Sequence, residues 1–175
     1  MSILGAVIVP HPPLIIPTVG RGREQEVQST IDAYRTVAKQ VAAWEPEVLI
    51  ITSPHQVMYA DYFHIAPGQG AIGDMSAFGA GQTKLGVEYD AQLRDELIRR
   101  AESAGLRAGT LGERNPSLDH GTFLPLYFLQ ESGVDCPILR IGLSGFSPVD
   151  HYRLGQCIAQ AVETLRRRAV FIASG

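Results

Sequence analysis

Four short, almost wholly apolar runs, "GAVIV", "VLIIT", "ILRIG" and "AVFIA", most constrain what this chain can become, because each is separated from the next by helical pattern. A continuous apolar run of strand length is buried on both faces, which is the situation of a strand in a parallel sheet covered by helices. Alternation of such runs with amphipathic helices is the signature of an α/β layered domain. The expected architecture is therefore a mixed, largely parallel central sheet flanked by helices. The 175 residues are read as a single domain spanning residues 1–175.

The intervening segments agree. Val27, Ile31, Tyr34, Ala38 and Val41 recur at helical spacing, which predicts a helix over residues 23–44. Leu93, Leu97 and Ala101 predict another over 89–104, with Gly105 as its C-terminal cap. Residues 59–85 are rich in Gly and aromatics and predict short strands and turns. "TFLPLYFLQE" predicts a short buried helix with Pro125 in its first turn, where a missing N–H is tolerated. Ser147 and Pro148 suit the N-cap and first position of a helix that ends before the last apolar run.

Composition narrows the function classes. A net charge of -3 leaves no basic patch for a phosphate backbone, so nucleic acid is not an expected partner. The apolar opening is broken by prolines after about ten residues, far short of the roughly 20 a membrane span needs. Membrane attachment is not expected, and a cytoplasmic location is. Two isolated cysteines support neither a disulfide framework nor a zinc ribbon. "GLSGF" lacks the spacing of a nucleophile elbow around Ser144, and "GQGAIG" has no strand before it and no helix after it.

The histidines carry the chemistry. His11 follows "GAVIV" within "VPHPP", and His55 follows "VLIIT" within "TSPHQ". In both, a preceding proline restricts the backbone and fixes where the imidazole leaves the strand. Ligands of open α/β sheets gather at the carboxyl ends of strands, so neighbouring strands could aim both rings into one crevice. Neutral imidazole is the commonest metal ligand, and two with a carboxylate leave coordination positions open for substrate and dioxygen. His120, in "LDHG", is a candidate acid/base, tuned by Asp119 or by the helix start. His64, His151, Tyr59 and Tyr62 read as packing residues.

"GAVIVPHPPLIIP", "IITSPHQVMYADYF", "FGAGQTKL", "LDHGTFLPLYFL" and "FIASG", in that order, resemble the class III extradiol ring-cleavage dioxygenase (LigB-like) superfamily. More narrowly they resemble the LigB-like proteins found with AMMECR1, Memo and radical-SAM partners, the AmmeMemoRadiSam system. The resemblance implies a LigB/Memo-like fold with one divalent metal, Fe(II) first and Zn second, at the carboxyl ends of the strands. His11 and His55 fall on the two histidine ligands of the dioxygenases, and His120 on the histidine beside the metal. A small aromatic substrate and O2 are then the expected reactants. Memo-like relatives imply an alternative, an accessory protein that binds metal or a small molecule without cleaving rings, with an AMMECR1-like or radical-SAM partner. In relatives a segment like "ASGDLSH" continues from the last strand, and the glutamate ligand lies further on. The sequence ending at Gly175 therefore reads as truncated, with an incomplete or empty metal site, an uncovered strand edge and association into homo-oligomers as expected consequences.

Overall fold

The computed structural model describes residues 2–175. In chain order its strands are β1 (Ile3–Val9), β2 (Val48–Ser53), β3 (Phe63–His64), β4 (Gly70–Met75), β5 (Ala80–Glu88), β6 (Ala108–Gly109), β7 (Ile138–Gly142) and β8 (Ala169–Ser174). Its α-helices are α1 (Pro17–Gly20), α2 (Gln28–Ala43), α3 (Ala91–Ser103), α4 (His120–Glu131) and α5 (Pro148–Thr164). The four apolar runs form one sheet, in the order β1-β8-β2-β7, and every pairing within it is parallel. The separate β4–β5 hairpin is antiparallel, β3 pairs with β6 in a parallel two-residue ribbon, and a single antiparallel bridge joins Ile65 to Ile141 of β7.

Side chains that alternate along a strand fill two different cores. Leu49 and Ile51 of β2, with Val170 and Ile172 of β8, face α2 and α4, where Ile31, Tyr34, Ala38, Phe123 and Leu124 are buried. Val48 and Ile50, with Leu139 and Ile141 of β7, face α3 and α5, meeting Leu93, Leu97, Leu154, Ile158 and Val162. The result is three layers, helices on both sides of a parallel sheet. Every residue of β7 is buried, whereas β1, at the sheet edge, alternates down its length and leaves Ile8 84% exposed. Both cysteines are free, and burial pushes the Cys136 thiol up to about 11.

Two helix expectations are corrected. Residues Arg23–Val27 form a 3-10 turn, and α2 begins only at Gln28. Apolar spacing over a single turn does not distinguish the two backbones, and here the Glu24 carboxylate accepts the Gly22 N–H at 2.7 Å, holding the chain in a local turn. The helix around Pro125 starts at His120, two residues early, so Pro125 lies in the helix interior. Gly105 does occupy the left-handed conformation (φ 71°) just after α3 that glycine adopts without strain.

Candidate metal centre

β1 and β2 are not neighbours, because β8 lies between them. Their histidines nevertheless meet, since both loops lean over the end of β8. The chain leaving β1 is held by Tyr34 of α2, whose hydroxyl donates to the Pro10 carbonyl at 2.6 Å, one residue before His11. At the end of β2 the His55 N–H donates to Ser53 Oγ at 3.2 Å, closing a tight turn through Pro54. His120 is the first residue of α4. Asp119 caps that helix: its Oδ1 accepts the Thr122 N–H at 3.0 Å and its Oδ2 the Thr122 hydroxyl at 2.8 Å. Ser53 also donates to Asp119 Oδ1 at 2.5 Å, tying β2 to the start of α4. Glycine is required at 121 because a Cβ there would collide with Ser53 Oγ and lie 3.1 Å from the His55 ring.

His11, His55 and His120 come together with ligand atoms all within 4.8 Å of one another. His11 Nε2 and His55 Nε2 are 2.9 Å apart, and the His55 and His120 ring centroids are 3.9 Å apart. Imidazole nitrogens are among the preferred ligands of divalent first-row metals, and three of them gathered this closely would be able to share one ion. The donor set therefore fits a divalent first-row metal. Proximity alone does not separate His120 from the other two, because all three satisfy the same distance. Burial, then repulsion from His55, holds the His11 pKa below its ordinary 6.5, with Asp119 opposing. Burial, then His55 and His11, lowers His120 in the same way, again against Asp119. Lone pairs are consequently available near neutral pH.

Beside His55 lies a pocket of about 280 Å³, lined among others by Gln56, Glu113, Arg114, Asp119 and Arg140. Arg140, in the middle of buried β7 and 3% exposed, donates to Glu113 Oε2 at 3.1 Å and to the Ser117 carbonyl at 2.8 Å. It thereby anchors the loop leading to Asp119 and His120. Both Glu113 and Asp119 are engaged in these bonds, and neither joins the histidine cluster. A larger hollow of about 860 Å³ lies between the β4–β5 hairpin and the approach to β7 and contains no histidine, so the smaller polar pocket is the candidate substrate site.

Sequence reasoning missed Ser53, Ser174 and Arg140. Only Arg140 carried a signal, a charge inside a strand otherwise read as wholly buried. His64 is fully buried, 3.9 Å from Glu113, and His151 Nδ1 lies 3.0 Å from the Ser147 carbonyl; neither joins the cluster. The Tyr59 hydroxyl donates to the Gly112 carbonyl at 2.6 Å, while that of Tyr62 accepts the Leu111 N–H at 3.2 Å.

A parallel α/β sheet with three imidazoles gathered at its carboxyl end defines a class of proteins with a potential metal site at that end. Within that class the chain belongs to the LigB family: residues 5–175 match the family described as the catalytic LigB subunit of aromatic ring-opening dioxygenase. It is similar to protein CA_C1420 of Clostridium acetobutylicum, 33% identical over all of this chain and 39% of that protein. A 2,3-dihydroxyphenylpropionate/2,3-dihydroxicinnamic acid 1,2-dioxygenase of Escherichia coli is 26% identical over 86% of this chain and 49% of its own length. A 4,5-DOPA dioxygenase extradiol-like protein of Schizosaccharomyces pombe is 25% identical over 54% of this chain and 30% of its own. The chain thus spans less than half of each of these relatives. Among the described residues no helix is long and apolar enough to cross a membrane.

Proposed function

We propose that this chain forms the metal- and substrate-binding part of a non-haem Fe(II)-dependent extradiol dioxygenase, cleaving a catechol-like aromatic with O2. His11 and His55 hold the metal and His120 handles the proton. The observation that carries this reading is the convergence of the three imidazoles beside a polar pocket in a chain of this family. When bound, Fe(II) supplies the redox chemistry that couples a catechol to dioxygen; Zn(II) fits the same donors without that chemistry. His120, kept neutral near pH 7, accepts a catechol hydroxyl proton at a ring nitrogen. The Asp119 cap fixes the first turn from which that ring projects, and Gln56, Arg114 and Arg140 orient the polar groups of the substrate. The two relatives named as dioxygenases carry catechols in their names, which is why a catechol is the substrate class proposed.

The test is anaerobic loading with Fe(II), followed by oxygen uptake and formation of a yellow ring-opened product across a panel of catechols. His120→Ala should retain the metal and lose turnover by about 10²- to 10⁴-fold. Iron held at His11 and His55 with no oxygen uptake on any panel member refutes the dioxygenase reading. The narrower resemblance supports a second reading, a Memo-like accessory protein that binds metal without ring cleavage. Under this reading, pull-down from the native host recovers an AMMECR1-like or radical-SAM partner and catechols do not turn over.

A further inference from the structure

α4 contains a proline in its interior, and the consequence reaches the metal site. Pro125 has no N–H, so the carbonyl of Gly121, four residues earlier, lacks its α-helical donor. That buried carbonyl is instead satisfied from β8: the Ser174 hydroxyl donates to it at 2.6 Å. Ser174, 6% exposed, also has its Oγ 2.9 Å from His11 Nδ1. A hydroxyl has one proton, and a carbonyl can only accept. With that proton directed to Gly121, Ser174 Oγ can meet His11 only as an acceptor. His11 Nδ1 must then carry the ring proton, and its Nε2, the atom 2.9 Å from His55 Nε2, is left with a free lone pair.

We propose that Pro125, the Gly121 carbonyl and Ser174 form a positioning relay that locks His11 in the Nδ1–H tautomer and presents an unprotonated Nε2 to the metal. None of the three touches the reacting atoms. The metal-ligand orientation that usually falls to a carboxylate or a backbone carbonyl is supplied here by a serine whose own polarity is set by a missing helix hydrogen bond. The proline removes the helical competitor for the Gly121 carbonyl. Another residue at 125 would return an N–H to the Gly121 carbonyl, and the two donors would then share it.

The relay gives the metal-site reading its purpose, but its first measurement needs no metal. Imidazole nitrogens of ¹⁵N-histidine-labelled, metal-free protein are observed by long-range ¹H–¹⁵N correlation at about pH 7.5, above the ordinary histidine pKa. His11 is assigned by its loss in His11→Gln. The wild type should show His11 with a protonated Nδ1 and an unprotonated Nε2. Ser174→Ala should lose that pattern, Ser174→Thr, which keeps the hydroxyl, should preserve it, and Pro125→Ala should fall between them. Zn(II) affinity, measured by chelator competition, should drop about 10- to 100-fold in Ser174→Ala and recover in Ser174→Thr. A protonated Nε2 on His11 in the wild type overturns the relay even if no variant folds, as does an unchanged His11 pattern in Ser174→Ala. A wild type with the Nδ1–H pattern that takes up no Zn(II) leaves the relay intact and overturns the metal site.

Discussion

Removal of the Asp119 carboxylate is the most informative single perturbation, because that group joins helix α4 to strand β2. In Asp119→Ala the helix loses its N-cap, which costs about 1 kcal/mol. The Ser53 hydroxyl, on a residue only 1% exposed, loses its acceptor, and a buried unsatisfied hydroxyl costs a further ~1–3 kcal/mol. The sum is about 2–4 kcal/mol. At the ~2–4 °C per kcal/mol expected for a domain of this size, Tm should fall by roughly 4–16 °C. Asp119→Asn keeps an oxygen for the Thr122 N–H and the Ser53 hydroxyl, so it should cost about 1 kcal/mol or less. The assay is urea and thermal unfolding of the metal-free protein, followed by circular dichroism. An alanine variant within ~0.5 kcal/mol of wild type, or an asparagine variant as damaging as alanine, would show that the cap and the Ser53 bond do not hold the site together.

Arg140→Met removes a buried cation and leaves Glu113 unpaired, which should destabilise the chain by ~3–5 kcal/mol in urea titrations, whereas the double change Arg140→Met with Glu113→Gln should recover much of that. The pH dependence follows from His11, His64 and His120, all held below 6.5 chiefly by burial. As pH falls below 6.5 the unfolded chain takes up protons first, so stability present above that value is lost as pH falls through the folded pKa values. Urea midpoints of metal-free protein between pH 7.5 and 5.5 should therefore decline; a flat or rising profile contradicts the burial of these rings. Ile8, 84% exposed on the edge strand, should tolerate Ile8→Lys within about 0.5 kcal/mol. If that edge drives self-association, light scattering should show less of it in the variant.

The layers were legible because "VLIIT" and, apart from Arg140, "ILRIG" are apolar at successive positions over a strand's length, the pattern of a strand covered on both faces. The helix faces were legible for the same reason: Leu93, Leu97 and Ala101 recur at helical spacing. The histidine contexts were readable locally, since a proline before His11 and before His55 marks the strand exit. Strand order was not readable, because placing β8 between β1 and β2 depends on pairings over more than a hundred residues, which leave no local trace. Ser53 and Ser174 look like any serine ending a strand; their roles exist only because Asp119 and Gly121 arrive from another element. The apolar pattern places the helix start two residues late, which makes Pro125 an early-turn proline and hides the Gly121 carbonyl that Pro125 leaves without a helical donor.

The position of β8 also governs when His11 and His55 can first come together during synthesis. His11 leaves the ribosome 163 residues ahead of the serine that orients it. At roughly 5–20 residues per second, that interval is on the order of 10–30 s. Throughout it β1 and β2 have no central strand between them, and His11 and His55 have no shared frame. An emerging chain therefore carries two separate imidazoles rather than a cluster. Under the proposed assignment of His11 and His55 to a metal, the pair is brought together only once β8 has paired with both β1 and β2.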